Sequence, residues 1–351
     1  MRGSKLRVTT VAAGISALFA LGLGGTASSA DTLKYTDHDP LGGMRTNFVK
    51  EVWLPEIEKQ SGGAIKIQDF WGGALMSSKE ALRGIGDGVS EMGFIYPGHY
   101  PGQLPAHSIF NMFPRGPESF ADMAKLYRRV SAEVPEFKAE LEKAGVMTVM
   151  MTAGLPGAFV GKNPLNGLAD IKGDKWRAGG KWKLRFLENA GALPVAVPWG
   201  DVYIALQTGT IDGCFTNYDG LHMMKFDEVA QNLLISKALW YATPFMHLVN
   251  LDKFNALPKA SQDAIMKASM VAEEKFAAVY DAAFEEVRAA QLKAGYKVNE
   301  MSSADVVAWE NAEKLEVMRA EWIAEAEKAG LKSAAQVMEK VKKIHAEVVG
   351  M

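Results

Sequence analysis

One arginine stands out as a residue that could do chemistry. Arg177 lies in residues 175–180, which read Lys-Trp-Arg-Ala-Gly-Gly, and no nucleophile motif, phosphate-binding loop or metal-ligand cluster accompanies it. A guanidinium presents parallel N–H donors that match the two oxygens of a carboxylate. An arginine held on a short predicted strand therefore favours the capture of an anion over its chemical transformation. The alternative interpretation is a surface arginine paired with a nearby acid.

The elements that must position Arg177 follow a repeating pattern. Strands are predicted at 33–36, 64–70 and 92–96, and a helix separates each from the next. Such alternation is typical of a parallel sheet covered by helices. It resumes after a run of turn-forming Gly and Pro residues at 154–164, where we place the crossing into a second lobe. The sequence thus predicts an α/β chain of two lobes.

Three later helices complete the predicted architecture. Residues 259–294 contain no Pro or Gly and predict one helix of about 50 Å, which we expect to lie across both lobes. Two more amphipathic helices are predicted at 302–330 and 333–349. The predicted division is lobe I at 31–153 with a return segment at about 243–280, and lobe II at 154–242 with C-terminal helices at about 281–351.

Composition and cysteine usage exclude several classes of protein. The chain of 351 residues carries 39 Lys plus Arg against 41 Asp plus Glu. A nucleic-acid-binding protein would show a basic excess, so no nucleic-acid partner is expected. Cys214 is the only cysteine, which excludes an internal disulfide. We expect it to be a buried small hydrophobe and not a nucleophile.

Residues 1–30 have the three-part pattern of a secretory signal peptide. Basic residues open the segment, residues 8–23 are apolar, and small residues lead to Ala30. We expect cleavage after about Ala30 and export, which in a bacterium means the periplasm. A membrane anchor is the alternative, but the apolar run is short and glycine-rich for a span of about 20 residues.

Three segments carry a resemblance to a known family. They read Asp-Ile-Lys-Gly-Asp-Lys-Trp-Arg at 170–177, Gly-Ala-Leu-Pro at 191–194 and Asp-Val-Tyr-Ile-Ala-Leu-Gln-Thr-Gly-Thr-Ile-Asp-Gly at 201–213. With these segments, nearly the whole mature chain resembles the substrate-binding proteins of TRAP transporters, the DctP family. The resemblance implies a two-lobe periplasmic binding protein fold, each lobe a mixed sheet flanked by helices. It also implies no catalysis, closure over a small organic anion, and delivery to TRAP permease membrane subunits that use an ion gradient.

The same resemblance implies which second-lobe residues meet the ligand. The family's carboxylate-gripping arginine falls at Arg177, and an aromatic residue that packs on the ligand falls at Trp199. The assisting asparagine falls at Asn217 if a one-residue gap is allowed, and without the gap the position is Thr216. A second arginine of the sialic-acid binders is replaced by Gly157, so a sialic acid ligand is not expected.

The first lobe is implied to contribute His38 and Tyr96, which follow its first and third strands. His38 stands in residues 37–40, Asp-His-Asp-Pro. This loop is interpreted either as a metal cluster or as a cap for the following helix. Adjacent residues rarely converge on one ion, so capping is favoured. The other histidines lack metal-ligand spacing, and neither a metal nor a cofactor is expected.

The resulting prediction is a periplasmic solute receptor, with a monomer as the simplest assembly. Two other classes stay open: a secreted enzyme acting on an organic acid, which requires a perturbed acid or base beside the arginine, and a binding protein that signals to a membrane kinase. The ligand itself also stays open among a monocarboxylate, a dicarboxylate, an aromatic acid, a keto or hydroxy acid and a sulfonate. Whether a metal ion bridges it is likewise open.

Overall fold

The computed structural model describes residues 1, 30–242 and 244–350, and the predicted signal peptide lies outside them apart from its two ends. A π-helical turn, Val49–Trp53, joins the first two helices. The strands are β1 Asp31–Thr36, β2 Ile65–Phe70, β3 Met92–Ile95, β4 Val146–Thr152, β5 Gly157–Gly161, β6 Lys175–Ala178, β7 Leu193–Pro194, β8 Gly213–Asn217, β9 Asn232–Ile235, β10 Phe245–Asn250 and β11 Lys297–Glu300. The α-helices are α1 Met44–Phe48, α2 Leu54–Gln60, α3 Ala81–Gly86, α4 Pro105–Ser108, α5 Phe120–Glu133, α6 Pro135–Lys143, α7 Lys181–Asn189, α8 Val202–Thr208, α9 Tyr218–Met223, α10 Phe226–Val229, α11 Leu251–Ala256, α12 Lys259–Lys293, α13 Ser303–Glu310, α14 Ala312–Lys328 and α15 Ala334–Val349.

The first sheet contains strands from both the beginning and the later part of the chain. Within the described residues its order is β2-β1-β3-β10-β4. β1 pairs parallel with β2 and β3, whereas β10 runs antiparallel to β3 and β4. Every residue of β3 and β10 is buried, as expected for strands covered on both faces. We call this sheet and the helices packed on it the first lobe.

The second sheet has the order β11-β9-β5-β8-β6-β7 in the part of the chain described. β6 pairs parallel with β7 and β8, and β5 runs antiparallel to β8 and β9. This sheet and its helices form the second lobe. Because both sheets are mixed and flanked by helices, the predicted two-lobe α/β fold is confirmed.

Helix α12 spans both lobes, as predicted. It contains 35 residues, a length of about 50 Å at 1.5 Å per residue. Its first half packs on the first lobe, where Trp53 Nε1 donates a hydrogen bond to Ser269 Oγ at 3.0 Å. Its second half packs on the second lobe, where Tyr218 Oη donates to Gln291 Oε1 at 2.5 Å. The helix therefore connects the two lobes along their common side.

The prediction of a single helix at 302–330 is wrong at one position. The chain breaks at Asn311 into α13 and α14, with φ 41° at this residue. Asn tolerates the left-handed conformation better than most residues, and its side-chain oxygen accepts from the Lys314 N–H at 3.2 Å to start α14. Since neither Gly nor Pro marks the break, the apolar periodicity predicted one continuous helix.

The last helix, α15, departs from the predicted division into lobes. It packs against α5 of the first lobe, where Arg129 Nη2 donates to Glu347 Oε2 at 2.8 Å. His345 Nε2 lies 2.8 Å from the Arg115 carbonyl oxygen. The prediction had placed all residues after about 281 with lobe II. An amphipathic pattern shows that one face of a helix is buried, but it does not show which lobe covers that face. The other boundaries of that division stay a prediction.

Gly213 begins β8 against the ring of Trp176. A Cβ at Gly213 would lie 2.5 Å from two atoms of that ring, which is fully buried and therefore held by its neighbours. We expect Gly213→Ala to lower the free energy of unfolding by about 1–3 kcal/mol, the usual cost of overpacking. Gly200→Ala is the matched control, since a Cβ there meets no described atom within 4 Å. Equal urea-unfolding free energies for the two variants would contradict this account.

Candidate ligand-binding site

A cavity of about 40 Å³ lies between the two lobes. His38 and Tyr96 reach it from the loops after β1 and β3, while Arg177 and Asn217 reach it from β6 and from the end of β8. Trp199, which follows β7, completes the wall. Ligand sites in α/β proteins form outside the carboxyl ends of strands, where these residues stand. All five residues singled out from the sequence therefore meet in one cavity.

Arg177 enters this cavity as a buried cation. Its exposure is 3%, and its Nε donates to the Val197 carbonyl oxygen at 3.1 Å, which fixes the plane of the guanidinium. The Trp199 ring lies 5.3 Å from Cζ. Among the described residues, no carboxylate lies within 4.0 Å of its nitrogens. The alternative of a surface arginine paired with an acid is thus wrong, and the buried charge has no protein counter-ion in the described chain.

Cys214 does not compensate this charge. It is the register partner of Arg177 across β6 and β8, and its Sγ lies 4.0 Å from Arg177 Nη1. Burial raises the pKa of the thiol above its ordinary value, although Arg177 opposes that shift. The thiol therefore stays protonated and uncharged at neutral pH. The expectation of a buried small hydrophobe at Cys214 is confirmed.

Arg45 also lines the cavity, but two carboxylates neutralise it. Its Nη1 donates to Asp37 Oδ2 and its Nη2 donates to Asp39 Oδ2, both at 2.6 Å. Burial opposes the charged form of Arg45, yet the two carboxylates raise its pKa well above the ordinary value. The expectation that loop 37–40 caps the next helix is wrong. α1 begins at Met44 with Gly43, which lies outside the loop, as its N-cap residue, and the loop carboxylates hold Arg45 instead.

Trp199 joins the two lobes directly. Its Nε1, on the second lobe, donates to Asp39 Oδ1 of the first lobe at 2.8 Å. Its ring packs edge-on against Phe226 with the ring centroids 5.2 Å apart. Asp39 therefore accepts hydrogen bonds from both lobes, and the structure is that of a closed cleft.

Two histidines line the cavity with unsatisfied nitrogens. Nδ1 of His38 and Nδ1 of His99 are buried and have no hydrogen-bond partner among the described residues. Their ring centroids lie 5.9 Å apart. Burial, together with the nearby His38 and Arg177, lowers the pKa of His99 to about 3, so its ring is neutral at physiological pH. Buried polar atoms are normally paired, which makes these two nitrogens candidates for a ligand's polar groups.

Thr216 and Asn217, between which the sequence left the choice open, both line the cavity. Thr216 Oγ1 donates to Asn217 Oδ1 at 3.1 Å, and Asn217 Nδ2 donates to Asp219 Oδ1 at 2.8 Å. Burial raises the pKa of Asp219. The three side chains form a hydrogen-bonded row along the second-lobe wall, so neither candidate acts independently of the other.

The sequence matches a protein-family model over most of its length. Residues 40–322 match DctP, the bacterial extracellular solute-binding protein family 7. The chain belongs to this family. A solute-binding protein of Albidiferax ferrireducens is 27% identical to this DctP protein over 277 residues, which cover 77% of this chain and 79% of the relative.

Solved structures share the fold of this DctP protein. A TRAP periplasmic solute-binding protein from Desulfovibrio salexigens with bound orotic acid superposes with a TM-score of 0.80 at 20% identity, covering 91% of this chain and 99% of that one. A Bordetella pertussis extracytoplasmic solute receptor binding pyroglutamic acid gives 0.76 at 21% identity, covering 90% and 100%. Family and fold are those of solute receptors and not of enzymes, so the predicted enzyme alternative is not supported.

Within the described residues of this DctP protein, no helix is both long and apolar enough to cross a membrane. In the same part of the chain, no group of three or more His, Cys, Asp or Glu side chains is arranged to hold a metal ion. The predicted signal peptide and its cleavage after Ala30 stay predictions.

Sequence reasoning missed several cavity residues of this DctP protein. Asp39, Arg45 and His99 line the cavity although none was assigned to it, and His99 had been set aside because it lacks metal-ligand spacing to other histidines. One sequence signal could have indicated the ion pairs of Arg45. Asp37 and Asp39 follow the first strand and Arg45 lies at the start of the next helix, so the two acids and the arginine are close along the chain. The sequence around His99 does not predict its place in the cavity, because that place depends on the conformation of the whole segment 97–119.

Lys183 was also missed, and it links the lobes of the DctP protein beside the cavity. Its Nζ, on α7 of the second lobe, donates to Tyr96 Oη at 2.7 Å and to Asn111 Oδ1 at 2.6 Å. The same nitrogen lies 4.3 Å from the centroid of the Tyr241 ring. Burial lowers the Lys183 pKa to about 7. Burial of this amine in the folded chain is thus coupled to the loss of its proton near neutral pH.

This coupling predicts a pH-dependent stability. Between pH 7 and about 10.4 the unfolded chain binds a proton at Lys183 that the folded chain does not, so the wild type gains stability as pH rises. Relative to Lys183→Met, we expect the free energy of unfolding to increase by up to about 1.4 kcal/mol per pH unit. Urea unfolding between pH 7.5 and about 9.5 measures it.

The exposed Lys181 on the same helix provides the control. Lys181→Met should show the same pH slope as the wild type, because the Lys181 side chain is 52% exposed and pairs with Glu325 at the surface. If Lys183→Met has the same slope as the wild type too, burial of the amine in the native state is refuted.

Proposed function

We propose that this DctP protein is the periplasmic solute-binding component of a TRAP-type transporter driven by an ion gradient. It captures a small organic acid whose carboxylate pairs with Arg177 while the lobes close. The observation that carries this proposal is a buried guanidinium, in a cavity between two lobes, for which the described chain supplies no counter-ion.

One ion pair between Arg177 and a ligand carboxylate can account for much of the free energy of micromolar binding. A charge-assisted hydrogen bond contributes about 1.5–3 kcal/mol net, and a bidentate arginine can make two. A micromolar dissociation constant corresponds to about 8 kcal/mol in total. The Arg177 pair would supply a large share of that free energy, and the cavity walls need add only apolar contact and neutral hydrogen bonds.

The position of the site between lobes supports capture by closure. Arg177, Asn217 and Trp199 come from the second lobe, whereas His38 and Tyr96 come from the first. A ligand that contacts both sets stabilises the closed form over the open one. Closure also removes water, which strengthens the attraction between the guanidinium and the carboxylate.

The relatives support the proposed ligand class and the proposed membrane partner. The receptors of known structure with bound orotic acid and pyroglutamic acid both hold organic acids, and they share this fold. Membership of the DctP family supports the proposed delivery to TRAP permease membrane subunits. The predicted signal peptide would export the chain to the periplasm, where we propose that it acts as a monomer.

A thermal-shift screen of carboxylic acids tests the proposal. A ligand that binds only the folded chain at 100 times its dissociation constant stabilises it by about 2.7 kcal/mol. Acids that raise the melting temperature are then titrated by calorimetry. Persistent absence of any shift across mono-, di- and hydroxycarboxylates would count against an organic-acid receptor.

Substitution of Arg177 tests its role as the anchor. We expect Arg177→Lys to weaken the best acid about 10- to 100-fold, because a point charge cannot form the paired hydrogen bonds of the guanidinium. Calorimetry measures the dissociation constant, and circular dichroism checks the fold. Arg185→Ala is the control, since this second-lobe arginine is paired with Glu188 and Glu321 outside the cavity and should bind like the wild type. Wild-type affinity in Arg177→Lys would refute the anchor.

A further inference from the structure

We propose that the cavity selects acids with a single negative charge and one additional uncharged hydrogen-bonding group, and that His38 and His99 recognise that group. The ligand class is then a monocarboxylate bearing an oxo, hydroxyl or lactam function. This inference rests on the proposed function and narrows it, because it concerns the same cavity and takes Arg177 as the carboxylate anchor.

The charged side chains around the cavity can stabilise one ligand carboxylate, and they disfavour a second one. Of the arginines and lysines that line it in the described chain, Arg177 alone lacks an ion pair, since Arg45 is held by Asp37 and Asp39. A second carboxylate would find no further arginine or lysine in the described lining that is free of an ion pair. It would also approach Asp39, whose carboxylate already accepts from Trp199 and Arg45 and lines the same wall. Like charges without a compensating cation destabilise one another in a poorly solvated site.

The two histidines have nitrogens that can pair with an uncharged polar group of a ligand. An imidazole N–H donates to a carbonyl or hydroxyl oxygen, and an unprotonated ring nitrogen accepts from a hydroxyl. His38 and His99 both line the cavity, and Nδ1 of each is buried without a partner in the described chain. His38 stacks on Phe94 at 4.9 Å between ring centroids, and His99 lies edge-on to Tyr96 at 5.0 Å. These ring contacts hold both imidazoles in place, which makes them positioned donors and acceptors and not freely rotating ones.

An acid with only apolar atoms would leave those nitrogens unpaired inside a closed cleft. Leaving a buried polar group unpaired is unfavourable, whereas a ligand oxygen that pairs with it removes the penalty. The preference should therefore be visible as a ratio of dissociation constants between two acids that differ only in the polar group. The charge preference should be visible in the same way, between a monocarboxylate and a dicarboxylate of similar size.

Matched triplets of acids test both preferences on the wild-type protein. The triplets are pyruvate, propionate and malonate; pyroglutamate, cyclopentanecarboxylate and glutarate; and 3-hydroxybenzoate, benzoate and isophthalate. In whichever triplet binds most tightly, we expect the first acid to bind about tenfold or more tightly than either of the others by calorimetry. A dicarboxylate or an apolar acid that binds as tightly as the first member would overturn the inference.

Variants assign the preference to the histidines. His99→Phe and His38→Phe keep an aromatic ring but remove its nitrogens. We expect each to reduce the advantage of the polar acid over its apolar counterpart to about threefold or less, because the polar group loses its partner and the apolar acid no longer leaves that nitrogen unpaired. His222→Phe is the control, because His222 pairs with Asp227 outside the cavity and should keep the full ratio. An unchanged ratio in both His99→Phe and His38→Phe refutes recognition by these residues.

The triplet experiment separates the two proposals. If acids of all three kinds bind equally, and Arg177→Lys weakens them all, the receptor function stands and the selectivity inference fails. If no acid binds the folded wild type, the organic-acid receptor fails and the inference fails with it. Because the comparison of the three acids needs no variant, a histidine variant that does not fold still leaves a decisive result.

Discussion

A buried guanidinium that lacks a counter-ion in the described chain is the constraint on which the rest of this structure depends. Burying an unpaired charge is unfavourable, and proteins retain such an arrangement where another molecule completes it. Arg177 is held by the Val197 carbonyl oxygen and faces the ring of Trp199. These contacts fix its direction without neutralising its charge. Burial of the guanidinium costs solvation free energy, and pairing with an anion would offset that cost.

The scaffold places this buried charge at the cavity between the two lobes. Each lobe has its own mixed sheet, and α12 connects them along one side. The contacts of Trp199 with Asp39 and of Lys183 with Tyr96 cross the cleft. Both are hydrogen bonds between polar groups, so separating the lobes there would expose groups that water can solvate. This feature supports the proposed closure of the lobes over a ligand.

Two arginines in the same cavity show how neighbours decide a side chain's role. Arg45 is enclosed by Asp37 and Asp39 and organises the first-lobe wall, where Asp39 in turn accepts from Trp199. Arg177 has a carbonyl, a thiol and an indole around it, none of which carries a negative charge. The residue type is the same, but Arg45 is structural, whereas we propose that Arg177 binds the ligand. Such a difference exists only in the assembled protein.

The sequence by itself determined the α/β alternation, the long helix and the candidate Arg177, because these depend on local periodicity and on one recognisable motif. The break at Asn311 and the docking of α15 on the first lobe escaped it, since neither leaves a local signature. The unpaired nitrogen of His99 and the buried amine of Lys183 likewise depend on which side chains meet across the cleft. Only the tertiary structure brings distant segments together, and burial and charge compensation arise from that meeting.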